Sequence, residues 1–566
     1  MRTRGSFRPI PSRACHHSRA AGCSGARCLA PTRRISRTHR GGAAAVLMLA
    51  VALVASGSKS GFATSGDPLI ASADWSREHA AHLLRRAGFG GTPEEIDRFT
   101  RLGRRGAVYA LVYYERQSAR FQPPTVLPYQ PPPFKDVQEP TQEQREAYVR
   151  MRRQNEAAQL ANVSEWWIRR MIGTPRPLEE KLVLFWHGHL TSGIREVQNA
   201  RFMFDQNNLF RRFASGNYRE LLLRVAADPA MLRYLNNASN VARQPNENFA
   251  RELLELFTLG EGHYSERDVK EVARAFTGWS IDPRTGAFTY NPRDHDDGVK
   301  ILFGRYGRFQ GTEVIDIILE QPQAARFMAD KVWRWLAGTA PGEPLLAAMA
   351  AELRRSRFEV KPLIENILLS DAFYAPEVRW AMVKSPVDLV VGTCRLLEID
   401  LYNAAEMTRA LKMMGQQLFQ PPNVKGWDGG VAWINTATLF ERYNFAAGLI
   451  YGGQAPRARH LTGDLLEDPA PMAAVIRPAK RDLNTDQPMF DPSPILRKYH
   501  LDSAEAIVDH FVARLWQREP DPATREALVE HVRRLGGDIK PDGADTAAAV
   551  RGLIHLLISS PEYQVM

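Results

Sequence analysis

A chain of 566 residues with 44% hydrophobic composition holds enough apolar material for a large core, which excludes a low-complexity protein. Its formal net charge of +11 suggests nucleic acid, yet the first 60 residues carry ten Arg and Lys59 with no Asp or Glu, which accounts for the whole excess. The remainder is close to neutral, so no basic field is left to hold phosphates, and nucleic-acid binding is set aside.

Residues 1–57 follow the plan of an export signal. A basic region reaches Arg40, an apolar run spans Ala43 to Ala55, and small polar residues follow. The run falls short of the roughly 20 residues a membrane helix needs. Arg33 and Arg34 in TRRIS make a weak twin-arginine-like pair. The alternative for these residues is an Arg-rich tail translated from a mis-assigned start. Residues 58–74 are expected to be a flexible linker, since Gly57 to Asp67 is rich in Ser and Gly. No later segment is long and apolar enough to cross a bilayer, so the mature protein is expected to be soluble, and the signal makes its expected location periplasmic or extracellular. Cys15, Cys23 and Cys28 lie in the leader, and Cys394 alone remains in the body, which excludes an internal disulfide or a cysteine-rich metal site there.

A main helical domain is expected over 75–451. HAAHLLRRAGFGGTPEEIDRF combines a helix, a stop at Gly88 to Gly91 and a second helix entered through Thr92 and Pro93. Arg85 and Arg86 have the chemistry to hold an anion, though surface or ion-paired residues are the plainer reading. A Pro-rich excursion at 121–140 is extended, and a covering loop is its simplest role. Glu143 to Met171 is a long helical pattern. In LEEKLVLFWHGHL a helix carries His187 and His189 to its carboxyl end, where a bend would let both point inward.

The stretch from Pro245 to Trp279 organises the rest. Phe249, Leu253, Leu256 and Phe257 recur at helical spacing, while Asn248, Glu252 and Glu255 fall on another face. Gly260 and Gly262 break the run, and Ser265 with Asp268 reads as a capping box for a second helix ending at Gly278. The result is a helical hairpin with His263 at its bend. Beyond it, GAFTYNPRDHDDGVKILFG reads as two β-prone runs forming one small hairpin with His295, Asp296 and Asp297 at its tip. Helices resume from Thr312, with a Pro/Gly loop at PPNVKGWDGG, a connecting region at 452–502, and a C-terminal helical segment at 503–566 packing on the main domain. The fold class is therefore mainly α: a multi-helix globular domain with a small β-hairpin insertion.

HLLRRAGFG, FWHGHL, NENFARELLELFTLG, DVKEVARAFTGW, HDDGVK, VKSPVDLV, PPNVKGWDGG and LLISSPEYQ occur in this order. Together they resemble the bacterial family known as domain of unknown function 1800, over roughly Trp75 to Met566. The resemblance implies a mostly helical exported protein, often encoded beside a second uncharacterised exported family, and implies no reaction. Gly188 stands where the family typically has a polar residue.

Two functions fit these residues. The first is a metal-dependent hydrolase of the cell envelope. His187, His189, Glu252, His295 and Asp296 would be the ligands of a divalent transition metal. Glu247 or Glu255 would act as general base, and Arg251 would steady developing negative charge. The second is a non-catalytic binding or assembly partner of another exported protein, in which the same polar groups satisfy one another inside the fold. Nucleophilic hydrolysis through Ser192 is weaker still, because HLTSG lacks the GxSxG elbow.

Overall fold

Side-chain caps fix where many of the helices begin. Ser76, Thr92, Thr141 and Ser265 each close a capping box, and Asn199, Asn217, Asp228, Ser385, Asn435 and Asp521 each accept a hydrogen bond from a first-turn N–H. The computed structural model describes residues 74–131, 141–399, 403–452 and 489–566, all within one compact unit, Gly66–Met566. The residues read as an export signal, the expected linker to residue 73, residues 132–140 of the Pro-rich stretch and residues 453–488 of the expected connecting region lie outside the described residues.

The helix Pro177–His189 runs through the centre. Every residue from Leu178 to His187 is buried, charged ones included. A helix enclosed on all sides needs its polar groups paired by neighbours, and the neighbours supply them. The long helix Gln142–Gly173 packs on Ala200–Arg212, Pro386–Leu396 and Ala404–Met413, and Pro177–His189 packs against Ala200–Arg212. Residues 121–131 form no regular structure and strap the outside of this group. Phe121 lies under the Arg170 guanidinium, Trp166 donates to the Gln122 carbonyl, and Tyr129 stacks on Phe202. At the C-terminal end, Ala504–Leu515, Pro522–Gly536 and Ala544–Ser559 pack together, and Ala544–Ser559 leans on Thr436–Tyr451.

The fold is mainly α, and its β content differs in one detail from the expected single hairpin. Phe288–Tyr290 pairs with Trp279–Ile281, while Lys300–Leu302 pairs with Arg305–Gly307. The two β-prone runs are strands, but they belong to separate hairpins. Backbone geometry explains the second pairing: Phe303 and Gly304 both have positive φ (47° and 78°), as a two-residue hairpin turn requires. His295, Asp296 and Asp297 therefore sit in the link between two hairpins.

Candidate functional site

The expected helical hairpin is present with a defect in its first arm. Asn248–Glu252 is α-helical, Leu253–Thr258 widens into a π-helix, and the second helix is Glu266–Ala275, three residues short of the expected end. Leu259 N–H reaches back to the Leu254 carbonyl, and the Thr258 hydroxyl takes the Leu253 carbonyl. A π-turn carries one extra residue and is found often at functional sites. Here Glu252 is the residue at which the widening begins, and Glu255 lies inside it.

Leu253, Leu254 and Phe257 are buried, while Glu252 and Glu255 are half-buried. The Tyr264 hydroxyl donates to Glu255 at 2.7 Å. Glu252 has no hydrogen-bond partner among the described residues. Burial, and then the neighbouring charge of Glu255, push its carboxyl above the ordinary range, with Arg251 and Lys425 working against them. Lys425 comes from the PPNVKGWDGG loop, and the Glu252 charge also acts on Tyr234. Tyr234, Tyr264 and Lys425 were not singled out from the sequence. Tyr264 lies in the stretch Pro245 to Trp279 and Lys425 in PPNVKGWDGG, but nothing in their spacing points to the carboxylates.

Glu247 and Arg251 face outward on the same hairpin. Arg251 pairs with Glu247 at 3.4 Å and binds both oxygens of Glu266 at 2.8 Å, so its charge is held at the surface. That placement favours an ion-paired face over a role in steadying developing charge.

The five expected metal ligands are not brought together. Among the described residues no group of three or more His, Cys, Asp and Glu side chains is placed to hold a metal ion. His187 is enclosed by the rings of Trp167, Phe210 and Phe419, and its Nε2 faces the Asn207 amide at 3.1 Å. His189 Nε2 lies 3.0 Å from the Tyr218 hydroxyl and 3.2 Å from the Phe257 carbonyl. Burial pulls both imidazoles down to about 3, so both are neutral. His295 Nδ1 sits 2.9 Å from the Thr277 carbonyl. Asp296 is gripped by Arg274 through Nε at 2.7 Å and Nη2 at 3.1 Å, and Lys300 donates to the Asp296 and Gly298 carbonyls. The HDDG link is thus tied down by its own neighbours. Glu252 alone of the five lacks such an anchor.

Ser192 is buried and accepts from Gln206 Nε2 at 3.0 Å, which also donates to Asp228 at 2.7 Å. Asp228 caps the helix Pro229–Tyr234 through Met231 N–H. Burial drives its carboxyl from 3.8 up to about 7. The proton is therefore held more tightly in the fold than in the unfolded chain. That stabilisation is complete below the ordinary carboxylate range and is lost as pH rises from there to about 7. Asp228→Asn keeps the acceptor for Met231 and removes the titration. At pH 8 it should exceed the parent by up to about 4 kcal/mol in urea denaturation, with the gap closing below pH 4. A constant gap across pH would show that Asp228 does not titrate in this range.

A second polar cluster joins motifs that lie far apart in the chain. Lys181 donates to Asp388 at 2.6 Å, Ser385 donates to the other Asp388 oxygen at 2.8 Å, and Lys384 lies over the Tyr563 ring at 3.4 Å. Arg85 of HLLRRAGFG, Lys384 and Asp388 of VKSPVDLV and Tyr563 of the closing SPEYQ line one cleft.

A family model described as "Protein of unknown function (DUF1800)" matches residues 82–565. No curated protein and no solved structure matches the chain.

Proposed function

The chain belongs to the DUF1800 family, and from that premise we propose that it is an exported helical protein acting as an acid–base hydrolase of the cell envelope, with Glu252 and Glu255 as its acid–base pair. The observation that carries this reading is Glu252, a half-buried carboxylate with raised affinity for its proton and no hydrogen-bond partner among the described residues. It stands where the helix widens, beside a second carboxylate already oriented by Tyr264. A carboxyl that keeps its proton longer than an ordinary one, beside a second carboxylate held in a hydrogen bond, suits acid–base work. Glu252 takes the acid–base role here in place of the ligand role expected from the sequence, and the reading does not draw on the five-residue ligand set.

Glu252→Gln in protein lacking the leader should lower kcat/KM by about 10²–10⁴-fold on whichever of chromogenic ester, amide or glycoside substrates the parent turns over. The variant should not melt earlier. A carboxyl whose folded pKa is raised contributes stability at low pH that is lost as pH rises, so removing it relieves the fold near neutrality. Equal rates in parent and variant, or no turnover of any class by the parent, would end the proposal.

A second reading, a binding or assembly partner of another exported protein, is favoured by the internal partners found for His187, His189, His295 and Asp296. Specific co-purification of one exported protein with parent and Glu252→Gln alike, without turnover, would select it.

A further inference from the structure

The cleft behind HLLRRAGFG carries more positive charge than its own residues neutralise. Lys181, Arg85, Arg86, Lys384 and Arg442 are all buried within this region, at 4%, 7%, 1%, 7% and 3% exposure. Asp388 faces them and is already held by Lys181 and Ser385, and the Glu78 charge acts on Arg85 from its own helix. Counting the Met566 oxygen that accepts from Arg86 as a further full negative charge still leaves cations in excess. Buried cations are costly unless paired.

The excess is concentrated on two side chains that line the cleft. Arg85 projects from the last turn of the helix Arg77–Ala87, and its face is stacked on Trp380 at 3.9 Å. Its Nη1 donates to Gln517 Oε1 at 2.6 Å, which fixes the plane of the guanidinium. The other edge, Nε and Nη2, has no partner among the described residues, and Nε is fully buried. Nε is closed off by its surroundings, so Nη2 is the donor left open to an oxyanion. Lys384 has no hydrogen-bond partner for Nζ among the described residues, and its main chain is pinned on both sides. Its N–H donates to the Gln564 carbonyl, and its carbonyl accepts from Arg442 at 2.8 Å. Phe89, Gly90, Gly392, Leu396 and Leu515 form the apolar wall. Gly90, at φ +87°, lets the chain turn there.

We propose that this cleft binds a small oxyanion, a carboxylate or phosphate group held by Arg85 Nη2 and capped by the Lys384 ammonium. Hydroxyl and amide chemistry fits less well, since both cleft cations offer donors and the acceptors nearby are already engaged: Gln517 Oε1 by Arg85, and the Asp388 oxygens by Lys181 and Ser385. Burial, with Arg85 next, pulls the Lys384 ammonium well below its ordinary value. A bound anion would oppose that shift and favour the protonated form of Lys384.

The test is calorimetric titration of the full chain with sodium acetate and with inorganic phosphate at low ionic strength, in two buffers of different ionisation enthalpy. Saturable one-site binding of either anion is expected, weakened at least tenfold in Lys384→Met and in Arg85→Gln. The stronger of the two names the group recognised. Lys384→Met replaces a buried ammonium by an apolar chain of similar volume and should fold at least as well as the parent, so a loss of binding there is not a loss of structure. A buffer-dependent enthalpy showing proton uptake, absent in Lys384→Met, places the anion against Lys384. No saturable binding of either anion, or equal affinity in parent and Lys384→Met, overturns the proposal.

Discussion

Glu180→Ala should destabilise the protein by about 3–5 kcal/mol in equilibrium urea unfolding, among the largest effects expected of any single substitution in the central helix. Glu180 is fully buried on Pro177–His189 and accepts from the Trp167 indole at 2.9 Å, from Arg170, and from both Nε and Nη2 of Arg211. Burial works against its charge, yet Arg211 and Arg170 outweigh burial and hold the carboxyl below its ordinary value. Removing it strands the guanidinium groups of buried Arg170 and half-buried Arg211 in one pocket, and Arg170 keeps only the Glu179 carboxylate, at 3.0 Å. Arg211 also donates to Asn207, whose amide faces His187, so the loss passes along a continuous chain to the imidazole. Glu180→Gln preserves volume and removes only the charge, and should recover part of the loss. If Glu180→Ala costs under 1 kcal/mol, water reaches these arginines and the network is not closed.

The same chain of bonds explains what the sequence could and could not reveal. Periodicity located the hairpin: Phe249, Leu253 and Phe257 are buried and Glu252 and Glu255 are not, because a helix has only one way to distribute alternating apolar positions. Local chemistry was equally legible. Ser265 and Asp268 close the expected capping box, and Glu247 meets Arg251 one turn away. These interactions span three or four residues. The partners of His187 lie 20 residues away on another helix, and those of His189 lie 29 and 68 away, so residue type alone could not separate a ligand from a satisfied core histidine. The π-turn was invisible for a related reason: an extra residue in a helix leaves its apolar pattern almost unchanged over six positions. Arg85 has the chemistry of an anion holder in the sequence, but its cleft is assembled from segments 299 and 478 residues further on, at Lys384 and Tyr563.

Gly426→Ala should cost ~2–6 kcal/mol, from one to three for the disfavoured backbone and one to three for overpacking. Gly426 sits at φ +87°, and a β-carbon there would lie 2.1 Å from the Gly188 carbonyl oxygen and 3.0 Å from its carbon. Both obstacles are main chain of the central helix, so neither can rotate away. The reciprocal change is a control: a β-carbon on Gly188 meets nothing nearer than the Trp427 ring at 3.7 Å. Gly188→Ala should therefore be neutral or stabilise by up to about 1 kcal/mol, since alanine is the better helix former. The close approach also governs the candidate site. It seats Lys425 within reach of Glu252, with Thr191 donating to the Val424 carbonyl at 2.7 Å. Pushing the loop away removes the positive charge that partly offsets the burial of Glu252, so the alkaline limb of any pH–rate profile, set by loss of the Glu252 proton, should move to higher pH in Gly426→Ala and stay in place in Gly188→Ala. Thermal unfolding and that profile, measured on both variants, check the argument together. A Gly426→Ala protein as stable as its parent would mean that the loop does not rest on the backbone of Pro177–His189.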